Sequence, residues 1–184
     1  MHKLEGRFAE FIGLEAEPPR EARYAVSAAL IRNWVEAHED FNPVYIDSEA
    51  ARDTGRRDII CPPAMISTWV MSGYRRYREV HRLRKQGVSE DFAYSQLLAL
   101  LDHAGYTSVV ATNVEQEYHV ELHPGDHVTA HFVIESISPF KQTGLGHGCF
   151  ITLLKTYVNQ VGETLVEERF RLLRFKPDTQ EATV

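Results

Sequence analysis

The stretch HEDFNPVYID, residues 38–47, separates two predicted helices and carries several polar side chains at short spacing. The helix before it begins after Ser27 as N-cap, and its apolar stripe recurs at helical spacing at Ile31, Trp34, Val35 and His38. The helix after it spans 48–54 and is closed by Gly55. On spacing alone, the stretch is best interpreted as a capping loop, in which Asp40 and Asn42 bind backbone donors and Pro43 starts a turn.

The chain downstream of this loop predicts two more helices. Pro63 sits well in a first helical turn, and the apolar positions after it form one continuous helical face: Ile66, Trp69, Val70, Gly73, Tyr74, Tyr77, Val80 and His81. The opposite face is rich in arginine. A second helix over 90–103, capped by Ser89, is apolar almost all round and should therefore be buried.

The second half of the chain has the period-two alternation of β-strands. Apolar residues alternate over 110–122 and 128–134, and a final pair of runs, 150–158 and 164–175, flanks the turn at 161–163. Between them lies a predicted loop over 139–148 with three glycines. Because the turns are of the hairpin kind, we expect an antiparallel sheet with helix on one face, an α+β fold.

Composition narrows the class of protein. The chain has 184 residues and a formal net charge of −6, which disfavours a general nucleic-acid binder. Two cysteines are too few for a disulfide scaffold, and no run reaches the roughly 18 apolar residues of a membrane span. The N-terminus is charged where a signal peptide is apolar. We expect one cytoplasmic domain over 1–177 and a polar tail or linker over 178–184.

Four segments, in order, resemble the MaoC-type, (R)-specific enoyl-CoA hydratases. Asp40, Asn42, Pro43 and Val44 match the family's Asp-x-Asn-Pro-aliphatic-His signature, but Tyr45 stands at the histidine position. The other segments are 61–65 (Cys-Pro-Pro-Ala-Met), 122–126 (Leu-His-Pro-Gly-Asp) and 141–146 (Lys-Gln-Thr-Gly-Leu-Gly). The resemblance implies a single hot-dog fold, in which an antiparallel sheet wraps around a long central helix, and domains that pair edge to edge with active sites at the interface.

The tyrosine variant resembles the N-terminal, dehydratase-like branch, whose members often work beside a complete partner. Segments 98–117, 141–146 and 173–177 resemble more closely the larger subunits of steroid side-chain enoyl-CoA hydratases. This implies a small catalytic MaoC-like subunit as partner in a heterodimer or heterotetramer. It also implies a thiolase or a lipid-transfer-like aldolase as a further partner, bound through a C-terminal OB domain that we do not expect within these 184 residues.

The expected reaction adds water to a trans-2-enoyl-CoA with a bulky acyl chain, such as a steroid side chain. A tyrosine has an ordinary pKa near 10, so Tyr45 would rarely be a base at pH 7. We therefore expect no catalytic residue in this chain, with Asp40, Asn42 and Tyr45 as residual candidates, and expect the partner to supply the Asp/His pair. The chain would shape the acyl pocket.

Two segments are candidates for binding coenzyme A, which is a substrate here, so no cofactor is expected. One is the glycine loop with Lys141, Gly144, Gly146 and His147, and the other is the basic helix face with Arg75 and Arg76. Histidines recur at 119, 123, 127 and 131, but Pro124 and Gly125 interrupt them, so they do not line one helix face and we expect no metal site.

Three alternatives remain open. The chain could be a self-sufficient hydratase that uses Asp40, or a non-catalytic module that binds acyl-CoA. It could also be an acyl-CoA thioesterase, because hot-dog folds host both chemistries. A thioesterase needs a carboxylate or histidine facing the thioester from the central helix, where Glu79 and His81 lie only near the far end.

Overall fold

The computed structural model describes residues 2–88 and 91–177. Its six α-helices are α1 (His2–Glu5), α2 (Ala28–His38), α3 (Ser48–Asp53), α4 (Ile66–Trp69), α5 (Gly73–Lys85) and α6 (Ala93–His103). Short 3₁₀ turns precede or join them at Phe8–Glu10, Pro43–Tyr45 and Pro63–Met65. No helix in these two ranges has both the length and the apolar composition needed to cross a membrane.

Six strands form one antiparallel sheet. They are β1 (Glu15–Glu21), β2 (Ser108–Tyr118), β3 (Thr129–Ile137), β4 (Lys141–Thr143), β5 (Gly146–Val158) and β6 (Thr164–Pro177). Their order across the sheet is β1-β3-β5-β6-β2, with the short β4 paired to β5. The predicted α+β class and antiparallel sheet are confirmed. Strands β1 and β2 are the two edges.

The core lies between one face of the sheet and helices α2, α4 and α6. Alternate residues of the central strands point into it, among them Ile134 of β3 and Ile151 of β5, both fully buried. Ser27 caps α2 as predicted, because its hydroxyl accepts a hydrogen bond from the Leu30 N–H. This cap and the buried Ile31 and Val35 fix α2 against the sheet.

The structure adds one element and corrects one prediction in the first half of the chain. Residues 15–21, for which the sequence analysis predicted no element, form the edge strand β1 with Pro18 and Pro19; prolines are tolerated at a sheet edge because their missing N–H need not pair. The continuous helix over 66–81 is in fact two helices, since α4 ends at Trp69 and α5 starts at Gly73. Gly73 has φ +64°, a left-handed conformation that breaks the helical path.

Because the chain breaks between α4 and α5, helix α6 is buried against the sheet and α5 is exposed. Helix α5 leaves the body of the domain, and residues 73–79 are all exposed. Helix α6 instead packs next to β1, with Leu97 and Leu101 completely buried. The predicted cap of α6, Ser89, lies outside the described residues, and the described helix begins after Phe92.

The helix-facing side of β2 remains open to solvent. Cross-strand partners share a face of a sheet, and Val114 and Tyr118 pair with Phe170 and Val166, which belong to or pack against the core. Yet Val109 is 56% and Val114 57% exposed, and Tyr118 is exposed as well. The apolar side chains of Val109, Val114 and Tyr118 therefore lack a covering layer on this face of β2.

We expect Leu97→Ala to lower the free energy of unfolding by about 2–5 kcal/mol, because it leaves a cavity beneath α6. The matched variant Leu30→Ala, on the exposed side of α2, should cost no more than about 0.5 kcal/mol. Urea denaturation followed by circular dichroism measures both. Equal losses in the two variants would show that α6 does not pack as described.

Candidate functional site

The loop over residues 38–47 brings Asp40, Asn42 and Tyr45 together. Glu39 takes a left-handed conformation at the end of α2, and the Asp40 N–H donates to the Val35 carbonyl at 3.1 Å. The Asn42 side-chain oxygen accepts from the Val44 N–H at 3.3 Å and so caps the 3₁₀ turn. The capping interpretation therefore holds for Asn42, while the Asp40 carboxylate is half-buried beside it.

Tyr45 has the properties of a neutral phenol. Its pKa is raised chiefly by burial and next by the negative charge of Asp40, which outweigh the hydrogen bond from Asn42 that lowers it. A phenol with a pKa above 10 does not act as a base at pH 7. The loop thus keeps the carboxylate of the hydratase signature, with the phenol of Tyr45 at the position of the signature's histidine.

An apolar cavity of about 260 Å³ lies near this loop, beneath the open end of β2. Its lining comes from two segments, 60–63 with Ile66 and 118–122, together with Leu165 and Val166 of β6. The Cys61 N–H donates to the Leu122 carbonyl at 2.7 Å, which fixes the two segments to each other. Cys61 also lies within electrostatic reach of Tyr45, so the cavity and the loop are neighbours.

The thiol of Cys61 is not a nucleophile in this cavity. Burial raises its pKa to about 12, although the Trp69 indole N–H donates to the sulfur at 3.3 Å and partly opposes the shift. The thiolate, which is the reactive form, is therefore almost absent at neutral pH. The cavity offers apolar surface rather than a reacting group.

A buried polar network that sequence analysis missed adjoins the cavity. Glu168 is only 4% exposed and accepts hydrogen bonds from Lys155 Nζ at 2.5 Å and from Gln116 Nε2 at 2.7 Å. Gln116 in turn accepts from the hydroxyl of Tyr118, a residue of the cavity wall. The parity of β6 could have placed Glu168 on the inner face, because it alternates with Val166 and Phe170.

The predicted glycine loop is a hairpin of β4 and β5 and lies apart from the cavity wall. His147 Nδ1 is 3.1 Å from the Tyr106 hydroxyl, and its ring stacks on Phe140. Lys141 Nζ lies 4.5 Å above the Phe150 ring. Gly144 is exposed at the tip, whereas Gly146 is buried. His147 therefore has a packing role that the sequence did not reveal, and the hairpin's part in binding coenzyme A stays a prediction.

The two predicted arginines lie on different sides of α5. Arg75 borders a shallow surface groove, and Arg76 borders a cleft between α5 and β1. Neither contributes to the apolar cavity. Glu79 and His81, the groups that a thioesterase would need, are exposed on α5 and likewise lie away from the cavity wall.

The predicted histidine series is split between loops and strands, as expected from Pro124 and Gly125. His123 is held by a 3.0 Å contact between its Nδ1 and the Ile59 carbonyl oxygen. His119 meets Glu117 and Glu167, with potential ligand atoms within 4.8 Å of one another. Both Glu117 and His119 are exposed, which is the usual state of surface polar groups.

The sequence of this chain is similar to a known family and to several named proteins. The family described as FAS1-like, dehydratase domain region matches residues 10–168. A Thermomonospora curvata protein named "Probable enoyl-CoA hydratase alpha subunit" is 46% identical over 179 residues, covering 97% of this chain and 54% of that protein. A Mycobacterium tuberculosis protein named "3-oxo-4,17-pregnadiene-20-carboxyl-CoA hydratase alpha subunit" is 41% identical over 167 residues, covering 90% and 50%. The chain thus spans about half the length of these relatives.

Solved structures also resemble this chain. A chain of the ChsH1-ChsH2 complex from Mycobacterium tuberculosis superposes with a TM-score of 0.80 at 36% identity, covering 97% of this chain and 99% of that one. The (R)-hydratase from A. caviae, at 13% identity and a TM-score of 0.51, covers 90% of this chain and 98% of its own and shares the fold alone. The predicted hot-dog architecture is confirmed.

Proposed function

The chain belongs to the FAS1-like dehydratase domain family, and from that membership we propose that it is the non-catalytic subunit of a heteromeric enoyl-CoA hydratase. It would shape the acyl pocket, while a small catalytic MaoC-like partner supplies the Asp/His pair. The observation that carries the proposal is that Tyr45, whose pKa burial and the nearby Asp40 raise, stands where the family's signature has an imidazole.

Hydration of an enoyl thioester makes three chemical demands. A base must activate water, an acid must protonate the α-carbon, and donors must stabilise the enolate oxygen. Tyr45 cannot serve as the base, because burial and Asp40 hold its pKa above the ordinary value. Cys61 cannot serve either, because its pKa is about 12. The missing proton-transfer group is what a partner would bring.

The open edge of the sheet at β2 supports the proposal that a partner subunit binds this chain. The cavity is lined by residues 118–122, which continue directly from the edge strand β2. Exposed apolar side chains on that strand, including Val109 and Val114, make it a favourable surface for a second hot-dog domain. A domain seated there would complete the cavity wall on the side where this chain leaves it open. The relatives from Thermomonospora curvata and Mycobacterium tuberculosis are both named as alpha subunits, which supports the existence of a second kind of subunit.

The exposed inner side of β2 supports a bulky acyl group. Val109, Val114 and Tyr118 lie on this face without a covering layer, and Tyr118 also lines the cavity. Each methylene group buried on such a surface contributes about 0.8 kcal/mol. A steroid side chain or another polycyclic acyl-CoA is the proposed substrate class, in line with the name of the 41% identical relative.

The test mixes the purified chain with a candidate small MaoC-like subunit and follows loss of the enoyl-thioester absorbance. Octenoyl-CoA and a steroid enoyl-CoA serve as substrates, each with the chain alone, the partner alone and the mixture. We expect turnover of the bulky substrate only in the mixture. Robust turnover by the chain alone would overturn the proposal and favour the self-sufficient hydratase.

The variant Asp40→Asn further distinguishes the non-catalytic subunit from the self-sufficient hydratase. In the mixture it should change the turnover rate by less than about threefold, because loss of an essential acid–base group typically costs about 10²–10⁴-fold and Asp40 is not one in this proposal. The matched control is the Asp→Asn change at the partner's signature aspartate, which should abolish turnover. A collapse of activity with Asp40→Asn alone would make Asp40 a catalytic base.

If the chain is instead a non-catalytic module that binds acyl-CoA, the same assays should give a third set of results. A chain that holds acyl-CoA without chemistry would bind the thioester and show no turnover with any partner. A thioesterase would release free thiol, which a thiol reagent detects in the same reaction. Glu79 and His81 lie away from the cavity wall, which weighs against the thioesterase.

A further inference from the structure

Helix α5 is the most conspicuous surface that the proposed function leaves unexplained. Its thirteen residues contain six cationic side chains and one acidic one, although the whole chain is acidic with a net charge of −6. Nearly all of its described side chains are exposed. An isolated helix of this length is marginal in water, so a helix held away from the core gains from a ligand that packs on it.

One side of α5 carries a ladder of aromatic rings. Tyr74 stacks on Tyr77 with ring centroids 6.2 Å apart and an interplanar angle of 20°, and Tyr77 stacks on His81 at 6.0 Å and 11°. Tyr74 is 72% and Tyr77 63% exposed. Large aromatic rings are costly to leave in water, and parallel open rings present faces on which a planar base can stack.

Cationic side chains flank this ladder and form with it a groove of about 650 Å³, which we call the α5 groove. Its residues are Tyr74, Arg75, Tyr77, Arg78, Glu79, His81, Arg82 and Lys85. Arg82 is paired with Glu79 at 2.6 Å. Within residues 2–88 and 91–177, Arg75 and Arg78 form no ion pair with a carboxylate, so their guanidinium groups are available to an anion.

We propose that the α5 groove binds the 3′-phosphoadenosine diphosphate end of a coenzyme A thioester, with adenine on the tyrosine ladder and phosphates on Arg75 and Arg78. Guanidinium groups bind phosphate through paired charge-assisted hydrogen bonds. The assignment of the ligand as coenzyme A rests on the proposed function.

The groove and the cavity are linked by a short stretch of chain. Ile66 lines the apolar cavity, and Tyr74 lies eight residues further along the chain, a stretch that spans at most about 28 Å. A coenzyme A thioester with its nucleotide in the groove would reach toward the cavity through its flexible pantetheine arm.

The experiment measures binding of 3′,5′-ADP by isothermal titration calorimetry to the full chain, alongside 5′-ADP and pantetheine. We expect 3′,5′-ADP to bind, 5′-ADP to bind more weakly and added salt to weaken both, because the contacts are exposed. Arg75→Gln with Arg78→Gln should weaken 3′,5′-ADP binding at least about tenfold. Tyr77→Ala should weaken it about fivefold or more through lost stacking.

The matched control is Arg7→Gln with Arg52→Gln, which removes the same charge from exposed positions outside α5. It should leave the affinity for 3′,5′-ADP within about twofold. Circular dichroism should show that all variants keep the helix content of the parent. Equal affinities in the α5 and control variants, or no binding of 3′,5′-ADP by the parent chain, would overturn the proposal.

The two proposals fail in different ways. If the mixture hydrates an enoyl-CoA but the α5 variants bind 3′,5′-ADP like the parent, the hydratase proposal stands and the groove assignment falls. If the α5 variants lose 3′,5′-ADP binding but no partner gives turnover, the groove stands as a nucleotide site and the hydratase proposal falls.

Discussion

Val109→Asp combined with Val114→Asp is expected to weaken binding of the chain to the catalytic partner that we propose by at least about 30-fold. Both valines lie on the edge strand β2 and are more than half exposed, so the fold itself loses little when they are replaced. An interface that covers them would have to bury two carboxylates without partners. Hot-spot positions of interfaces typically lose about 2–4 kcal/mol on substitution, which is about 30–1,000-fold in affinity.

The matched control is Val88→Asp with Val161→Asp, which adds the same charge at exposed valines outside β2. Binding is measured by calorimetry and by the mass of the complex in light scattering, independently of turnover. The control should keep the affinity of the parent within about threefold. If the β2 variant binds the partner as tightly as this control does, the partner does not dock on the edge strand.

Tyr45→His is expected to raise the rate at which the isolated chain hydrates an enoyl-CoA by about 10²–10⁴-fold, the usual contribution of a general base. The change completes the Asp-x-Asn-Pro-aliphatic-His sequence on a loop where Asp40 already lies close to the side chain at position 45. An imidazole has an ordinary pKa near 6.5, so its neutral form is available at pH 7.

The pH dependence identifies the new base. A rate that depends on neutral imidazole should fall as the pH drops below about 6.5, because protonation removes the base. Tyr45→Phe is the matched control and should give no gain. Tyr45→His together with Asp40→Asn should lose most of the gain, since Asp40 would orient the imidazole. Absence of any gain in a folded Tyr45→His chain would show that this loop does not face the thioester.

Local capping signals predicted part of the fold well. Ser27, Gly55 and the proline–glycine turn at 124–125 each act through their own backbone neighbours, so the sequence alone defines the ends of α2, α3 and the strands that follow. The loop around Asp40 was also predictable, because Asn42 caps its own turn. Features that depend on contacts within four residues can be read from the sequence.

Features that depend on distant contacts could not be predicted in this way. The apolar periodicity of 66–81 continues across the break, so it does not reveal that Gly73 takes a left-handed conformation and that Arg23 approaches it closely from another part of the chain. Strand β1 carries two prolines, and its pairing with β3 more than a hundred residues away decides its conformation. The parity of β6 points Glu168 inward, but its partners come from β2 and β5, so the ion pair and hydrogen bond that satisfy its carboxylate were not visible in its own strand.

Strand β2 also bears on how the cell must handle this chain. An uncovered edge of eleven residues with exposed valines is a template on which other unpaired strands can assemble. Chains synthesised in excess of whatever covers that edge would recruit one another or become substrates of chaperones and proteases. Matched production of the two partners would then be a condition for solubility, and the steady-state amount of this chain would follow that of its partner.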